Sequence, residues 1–215
     1  MTFNGIRILI PPEKLTTTNM ENTNMTIMIK TATYPTLGQV KYFGDYYSNY
    51  WASMKQLTQY DYRFRNAIYN FKDGIASQDR NRLIDVLIEY LSSIPGINDG
   101  SHAFFCLPAS TEEATAARYG DMIKRLKSAL PNLFIINDRV KFTGSKTSKH
   151  SSCIRNVDAC AHITMNNKIS QPHTIIFDDI ITRGDSMNDA KRFLERHGAK
   201  SVECIAFGKN YYPAS

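Results

Sequence analysis

The chain has 215 residues, of which 42% are hydrophobic, so it can form one large or two small domains with an ordinary buried core. Its net charge is +6, and residues 101–215 account for +5 of this, which suits a polyanionic ligand or a nucleic acid without deciding between them. No run of about 18 apolar residues exists, so no membrane partner is expected, and four scattered cysteines with no signal-like N-terminus predict a cytoplasmic protein with reduced thiols.

The first third of the chain predicts few regular elements. Residues 6–10 indicate a short strand or arm, residues 16–26 a loop, and residues 26–29 a second short strand. Residues 34–62 are rich in aromatic side chains, and we interpret them as a hood or cap that packs on the main domain. A nucleic-acid stacking surface is the alternative, because cationic residues lie among the aromatic ones: Lys41, Lys55, Arg63 and Arg65. We therefore divide the chain into an N-terminal arm and aromatic-rich cap, residues 1–64, and an α/β domain, residues 65–215.

The remainder of the chain predicts an α/β domain. Ser77 is a candidate N-cap for a helix that carries apolar residues on one face. Apolar runs then predict strands at residues 103–107, 133–136, 174–177 and 202–207. Helices are predicted at residues 110–130, 152–161 and 186–197, with Ser110 and Glu113 at capping-box spacing. Alternating strands and helices indicate a parallel sheet, and ligands of such sheets bind beyond the carboxyl ends of the strands.

The most informative segment is residues 174–186, with the sequence TIIFDDIITRGDS. A buried strand is predicted to end at two adjacent carboxylates, Asp178 and Asp179, and a short loop then leads into a helix. The N-terminus of a helix is a favourable site for phosphate, because its free N–H groups and its dipole attract negative charge. Carboxylates beside it are useful if the ligand presents hydroxyls, as a sugar phosphate does, or brings a divalent cation, as a Mg²⁺-bound pyrophosphate does. The alternative is an ordinary strand–turn–helix crossover with no ligand.

This ordered segment resembles the phosphoribosyl-pyrophosphate (PRPP) motif of type I phosphoribosyltransferases. The resemblance implies that Asp178 and Asp179 are the catalytic acidic pair, which holds the ribose 2′- and 3′-hydroxyls. It also implies that the following loop surrounds the 5′-phosphate with Thr182, Arg183, Gly184, Asp185 and Ser186. The sequence departs from the family at two of these positions: Asp185 stands where a small residue is usual, and Arg183 where threonine is commoner.

The resemblance implies two further parts of the site. The loop after the strand at residues 103–107 would bind pyrophosphate through Ala109, Ser110 and Thr111, although an ordinary capped helix explains the same residues. Residues 139–155 contain no acidic residue and predict a flexible basic loop that closes over the leaving group. Its candidate members are Lys141, Lys146, Lys149, His150 and Arg155. A solvated basic loop without such a role is the alternative.

The wider similarity is to the competence-protein-F-like (ComF-like) branch of that family, carried by residues 71–74, 149–150 and 155–156. That branch usually has an N-terminal zinc ribbon, which this sequence lacks. The resemblance implies a phosphoribosyltransferase that uses PRPP, an unidentified nitrogen acceptor and Mg²⁺. The ion would be held mainly by ligand and water, with Asp178 and Asp179 as its candidate protein ligands, and a homo-oligomer is expected. Two alternatives remain open: a non-catalytic PRPP- or nucleotide-binding regulator, and a competence or DNA-processing protein that binds nucleic acid.

Overall fold

The structure, a computed structural model, describes residues 27–144 and 158–213. Within these residues the strands of the main sheet are β1 Lys30–Tyr34, β2 Gly38–Tyr46, β3 His102–Cys106, β4 Phe134–Ile135, β7 His173–Ile181 and β8 Ser201–Asn210. A separate two-stranded ribbon is formed by β5 Val140–Phe142 and β6 Ile163–Met165. The helices are α1 Asn49–Met54, α2 Gln59–Lys72, α3 Gln78–Ser92, α4 Glu112–Ala129 and α5 Asp185–Arg196, with a 3₁₀ turn at Ile136–Arg139.

The main sheet has the strand order β1-β2-β8-β7-β3-β4. Neighbouring strands from β2 to β4 pair in parallel, and only the edge pair of β1 with β2 is antiparallel. Helices therefore cover both faces of the sheet, and its central strands are almost continuously apolar, as residues 103–106 and 174–177 illustrate. The predicted α/β class with a mostly parallel sheet is confirmed.

Two apolar cores lie on opposite faces of this sheet. On one face α2, α3 and α4 pack against aromatic residues of the central strands, including Phe104, Phe177 and Phe207. On the other face α5 and the β5–β6 ribbon pack against Phe105 and Ile176. The side chains of successive strand residues alternate between the faces, which explains how one short strand supplies both cores.

The order in which the chain adds strands to the sheet reverses between β3 and β7, although these two strands are parallel. After β3 it continues through α4 to β4 on one side, and after β7 it continues through α5 to β8 on the other side. The helices α4 and α5 also lie on opposite faces. The carboxyl ends of β3 and β7 thus border a topological switch point, where open α/β sheets leave a crevice for ligands.

The N-terminal part of the structure differs from the expected cap. Residues 30–46, which include aromatic residues assigned to the cap, form two strands of the main sheet, and β2 pairs directly with β8. The predicted boundary at residue 64 falls inside α2. The strand predicted at residues 26–29 begins instead at Lys30. The hood is not confirmed, and the elements predicted at residues 6–10 and 16–26 lie outside the described residues.

Other boundaries were close but not identical to those predicted. Ser77 caps α3 as expected, whereas the side chain that caps α4 belongs to Thr111 and not to Ser110. The helix predicted at residues 152–161 lies mostly outside the described residues, and its last four residues form a turn. Cys106 and Cys204 are buried free thiols, as predicted. Among the helices of residues 27–144 and 158–213, none combines the length and the apolar character that a membrane span requires.

Candidate functional site

The acidic pair lies within β7 and not after its end. The strand continues to Ile181, and Asp178 is opposite Ala206 in the ladder with β8. The prediction that the strand stops at residue 177 was wrong, because pairing with β8 extends the ladder by four residues. Both carboxylates nevertheless remain close to the carboxyl end of the strand, beside the switch point.

Asp179 is enclosed by protein and is paired with two cations. Its side chain is 6% exposed, and its Oδ2 lies 3.1 Å from a guanidinium nitrogen of Arg118 on α4. Its Oδ1 lies 3.9 Å from the ammonium nitrogen of Lys72 at the end of α2. Two of the three helices on this face of the sheet, α2 and α4, therefore supply the cations that neutralise the second acid of the motif.

Asp178 has a different relation to solvent. The residue is partly exposed, and its Oδ1 accepts a hydrogen bond of 2.8 Å from the backbone N–H of Asp179. Desolvation raises the pKa of the Asp178 carboxyl, and the negative charge of Asp179 raises it further, against the opposing effects of Arg118 and Lys72. The ionised form of such a carboxyl is stabilised strongly by a cation or a hydrogen-bond donor that a ligand brings.

The loop that follows β7 opens directly into α5. Gly184 is the N-cap residue with φ of 84°, a left-handed conformation that glycine adopts without strain, and it offers no side chain to cap the helix. Thr182, Arg183 and Asp185 are exposed around it. The N–H groups of the first turn of α5 consequently receive no cap from the N-cap residue, which is the local arrangement that an anion can complete.

The two unusual residues of this loop pair with each other. Arg183 donates to Asp185 Oδ2 from Nε at 3.1 Å, and its terminal nitrogen lies 2.9 Å from the same oxygen. Both side chains are highly exposed, so the pair contributes little stability and can open at small cost. Arg183 thus compensates the carboxylate that departs from the family pattern, and it can turn to an incoming phosphate.

The inner side of the loop is held by the β1–β2 hairpin. The hydroxyl of Tyr34 donates to the carbonyl oxygen of Thr182 at 3.2 Å. A Cβ atom added to Gly184 would lie 2.9 Å from Leu37 Cδ1 and 3.2 Å from Tyr34 Cδ1. The hairpin therefore supports the back of the loop, while its exposed residues leave the outer side open.

Tyr34→Phe removes one hydrogen bond worth roughly 1 kcal/mol that fixes the loop, so we expect it to weaken about fivefold the PRPP binding that the motif resemblance implies. Calorimetric titration with PRPP and Mg²⁺ measures this. Tyr42→Phe is the control, since Tyr42 is buried on the neighbouring strand and its hydroxyl bonds to none of the described residues. Equal affinities for the two variants would show that the hairpin does not position the loop.

The loop after β3 is held by hydrogen bonds to α4 and to His162. The N–H of Ala109 donates to Thr115 Oγ1 at 3.0 Å, and the carbonyl oxygen of Ala109 accepts from His162 at 2.8 Å. The hydroxyl of Thr111 caps α4 by accepting from the N–H of Ala114. Ser110 is the exposed member of the predicted trio. The loop borders the switch point as expected, and its role in binding pyrophosphate stays a prediction.

The predicted basic loop is described only in part. Lys141 is exposed on β5, where it lies opposite Thr164 of β6, so this residue belongs to a paired ribbon and not to a flexible loop. The other candidates lie outside the described residues: Lys146, Lys149, His150 and Arg155. Their closure over a leaving group stays a prediction.

The aromatic residues near the ends of β2 and β8 mostly pack on one another. Lys55 lies 4.6 Å from the ring centre of Tyr47 and 4.7 Å from that of Tyr211. Tyr50 and Tyr62 are largely exposed, whereas Tyr47 is buried. Mutual packing thus accounts for part of this aromatic cluster, and nucleic-acid binding by the exposed rings stays a prediction.

Three residues of the site, Arg118, Lys72 and Tyr34, had no role predicted from the sequence. A signal for Arg118 is present in the sequence, because the residue lies three positions after the buried Thr115 and four before the buried Met122. A cation in the apolar stripe of a helix predicts a buried acidic partner. The local sequence does not indicate that this partner is Asp179, which lies 61 positions further along the chain.

The residues present fit a magnesium ion that is held mostly by its ligand. The described part of the chain contains no group of three or more metal-binding side chains. One partly exposed carboxylate, Asp178, lies near the carboxyl end of β7, which leads into the loop before α5. Because Mg²⁺ commonly keeps several waters and takes one or two protein carboxylates, this donor set is sufficient for an ion that arrives with a pyrophosphate.

No protein-family model matches the chain, and no curated protein matches it. Among solved structures, the purine phosphoribosyltransferase from Pyrococcus horikoshii Ot3 is similar over 63% of this chain and 92% of its own, with 13% sequence identity and a TM-score of 0.35. A similarity this low gives no information about the site, so any function must be argued from the residues of this chain.

Proposed function

We propose that this protein binds PRPP at the crevice between the carboxyl ends of β3 and β7. One observation carries the proposal: the acid-bearing end of β7 leads directly into the glycine turn that opens α5, at the switch point of the sheet. An acidic strand end beside a helix N-terminus suits a ligand that has both hydroxyls and a phosphate.

Each part of PRPP has a partner at this edge of the sheet. The 5′-phosphate would receive N–H groups from the first turn of α5, with Arg183 as a nearby cation. The ribose hydroxyls would donate to the acidic end of β7. The pyrophosphate would lie toward the loop after β3 and the exposed Ser110. Bound Mg²⁺ would neutralise charge on the pyrophosphate as it departs.

The reaction that fits this ligand is transfer of the phosphoribosyl group to a nitrogen acceptor. The bond between C1 of the ribose and the pyrophosphate oxygen breaks with its electron pair leaving on pyrophosphate, a bond from C1 to the acceptor nitrogen forms, and the acceptor loses its proton to solvent. Positive charge develops on the sugar as the bond breaks, as in glycoside cleavage. A carboxylate beside the ribose stabilises that charge, and the fixed N–H groups of α5 hold the other end of the substrate in place.

Calorimetric titration with PRPP and Mg²⁺ tests the binding step. We expect a saturable heat with the wild type and its loss in the double variant Asp178→Asn plus Asp179→Asn. The double variant Arg125→Gln plus Asp85→Asn is the control, because it removes an ion pair between α4 and α3, away from the acidic pair. No heat with the wild type, or equal heat with the acidic double variant, rejects the proposal.

A second candidate is a protein that binds PRPP without transferring its sugar. The internal hydrogen bond of the Ala109 N–H favours it, because one donor that the pyrophosphate would use is already occupied. Release of pyrophosphate in the presence of a panel of nucleobases separates the two candidates. Release with one base supports transfer, and binding without release for any base supports the second candidate.

A further inference from the structure

The two acids of β7 belong to one charged cluster but differ in their access to a ligand. Arg118 and Lys72 both act on Asp178 electrostatically, yet each forms its ion pair with Asp179. The buried Tyr119 and Cys106 complete the surroundings of the pair, and the pKa of each of these groups is raised by desolvation first and then by Asp178. Both acids thus belong to the same charged cluster, but only Asp179 forms ion pairs with its cations.

We infer that Asp178 alone presents a carboxylate to the ligand, and that Arg118 and Lys72 are positioning residues that hold Asp179 as an internal counter-ion. The identity of the ligand in this inference rests on the proposed function. The motif resemblance assigns contact with the ribose hydroxyls to both acids, whereas here only Asp178 makes it.

The burial of Asp179 supports this division. Its side chain is 6% exposed, and Arg118 occupies the side of the carboxylate that carries Oδ2. Asp179 Oδ2 and Arg118 Nε are buried without a hydrogen-bond partner, so the pair is held by charge and not by a complete hydrogen-bond network. A ribose hydroxyl could reach Asp179 Oδ2 only by displacing Arg118, which would leave a buried guanidinium without its partner.

Asp178, unlike Asp179, has a carboxylate oxygen that the described residues leave available. One carboxylate oxygen takes the N–H of Asp179, and the other receives no hydrogen bond from the described residues. No described cation forms an ion pair with it. This oxygen is therefore available to accept from a hydroxyl or to bind a cation that a ligand brings.

A double-variant cycle measured by calorimetry with PRPP and Mg²⁺ tests the inference. At pH 9, above the raised pKa of Asp178, we expect Asp178→Asn to weaken binding roughly 30-fold or more, as loss of a charged partner does. Arg118→Met should also weaken binding, because it leaves the charge of Asp179 uncompensated. The combination of Arg118→Met with Asp179→Asn should bind within about threefold of the wild type, since it removes both members of the internal pair. Arg125→Met on the same helix is the control for loss of a guanidinium.

One result of this cycle overturns the inference: the combined variant binding as weakly as Asp178→Asn. That outcome would mean that Asp179 itself contacts the ligand. Arg118→Lys guards against a folding defect, because a lysine keeps the charge, and we expect it to recover most of the binding that Arg118→Met loses.

Carbodiimide coupling of an amine to carboxyl groups, read by mass spectrometry, decides the same point without PRPP. We expect label on Asp178 and none on Asp179 in the folded wild type, and label on Asp179 only when Arg118→Met opens its surroundings. Label on Asp179 in the wild type would overturn the inference. Absence of PRPP binding by the wild type would reject the proposed function, and the labelling result would still decide which acid is presented.

Discussion

At pH 8 the variant Asp178→Asn should be more stable than the wild type, and Asp179→Asn should be less stable. The pKa of Asp178 is raised from 3.8 to about 8, so the charged form of this carboxyl destabilises the folded state. An amide keeps the hydrogen bond from the N–H of Asp179 and removes the charge. With a discount for its partial exposure, we expect a gain of about 1–2 kcal/mol. Asp179→Asn leaves Arg118 without its partner and should cost about 3 kcal/mol.

The stabilisation expected from Asp178→Asn depends on pH. Between the ordinary pKa of an aspartate and the raised value, the folded state holds a proton that the unfolded state has lost. The free energy of unfolding of the wild type therefore falls as pH rises through this range. The advantage of Asp178→Asn should be absent near pH 4 and largest at pH 8 and above. Urea unfolding at pH 4, 6 and 8 measures it, and a stabilisation that does not grow with pH would contradict the account.

Gly184→Ala should lower both stability and PRPP affinity. Alanine must adopt a φ of 84°, and its Cβ would lie 2.9 Å from Leu37 Cδ1. We expect a loss of about 2 kcal/mol in the free energy of unfolding, from backbone strain together with the displaced hairpin. PRPP affinity should fall more than about tenfold, because the N–H groups of the turn move away from the phosphate.

Gly100→Ala is the matched control for this variant. Gly100 has a φ of 86°, and a Cβ added there meets no atom within 4 Å, so it isolates the cost of the left-handed backbone. We expect Gly100→Ala to lose about 1 kcal/mol and to bind PRPP normally. Addition of Leu37→Ala to Gly184→Ala should recover part of the lost affinity by removing the contact. Equal effects of the two glycine substitutions would show that the hairpin does not press on the loop.

Local patterns predicted the elements that lie around the site. The apolar runs of β3, β7 and β8 indicated buried parallel strands, and the glycine turn before residue 186 indicated the start of α5, which begins one residue earlier, at Asp185. The acidic pair was placed after its strand because two adjacent carboxylates rarely continue a buried strand. The ladder between Ile180 and Gly208 overrides this preference, and Lys72 and Arg118 neutralise the second acid.

The position of β2 could not be predicted from local sequence. This strand contains Lys41, Gly44 and Asp45, which lower strand propensity, and its partner β8 is more than 150 positions later. Gly44 is required by tertiary packing, because a Cβ there would lie 2.7 Å from the ring of Phe64 on α2. The aromatic residues that suggested a separate cap are instead distributed over β1, β2, α1, α2 and the short connection after β2.

A crystal structure of the protein with PRPP and Mg²⁺ tests the central claim most directly. We expect the 5′-phosphate within hydrogen-bond distance of the backbone N–H groups at residues 184–186, with a ribose hydroxyl on Asp178 and Arg118 still paired with Asp179. Ligand bound elsewhere on the protein, or a crevice between β3 and β7 that stays empty at saturating PRPP, would contradict it.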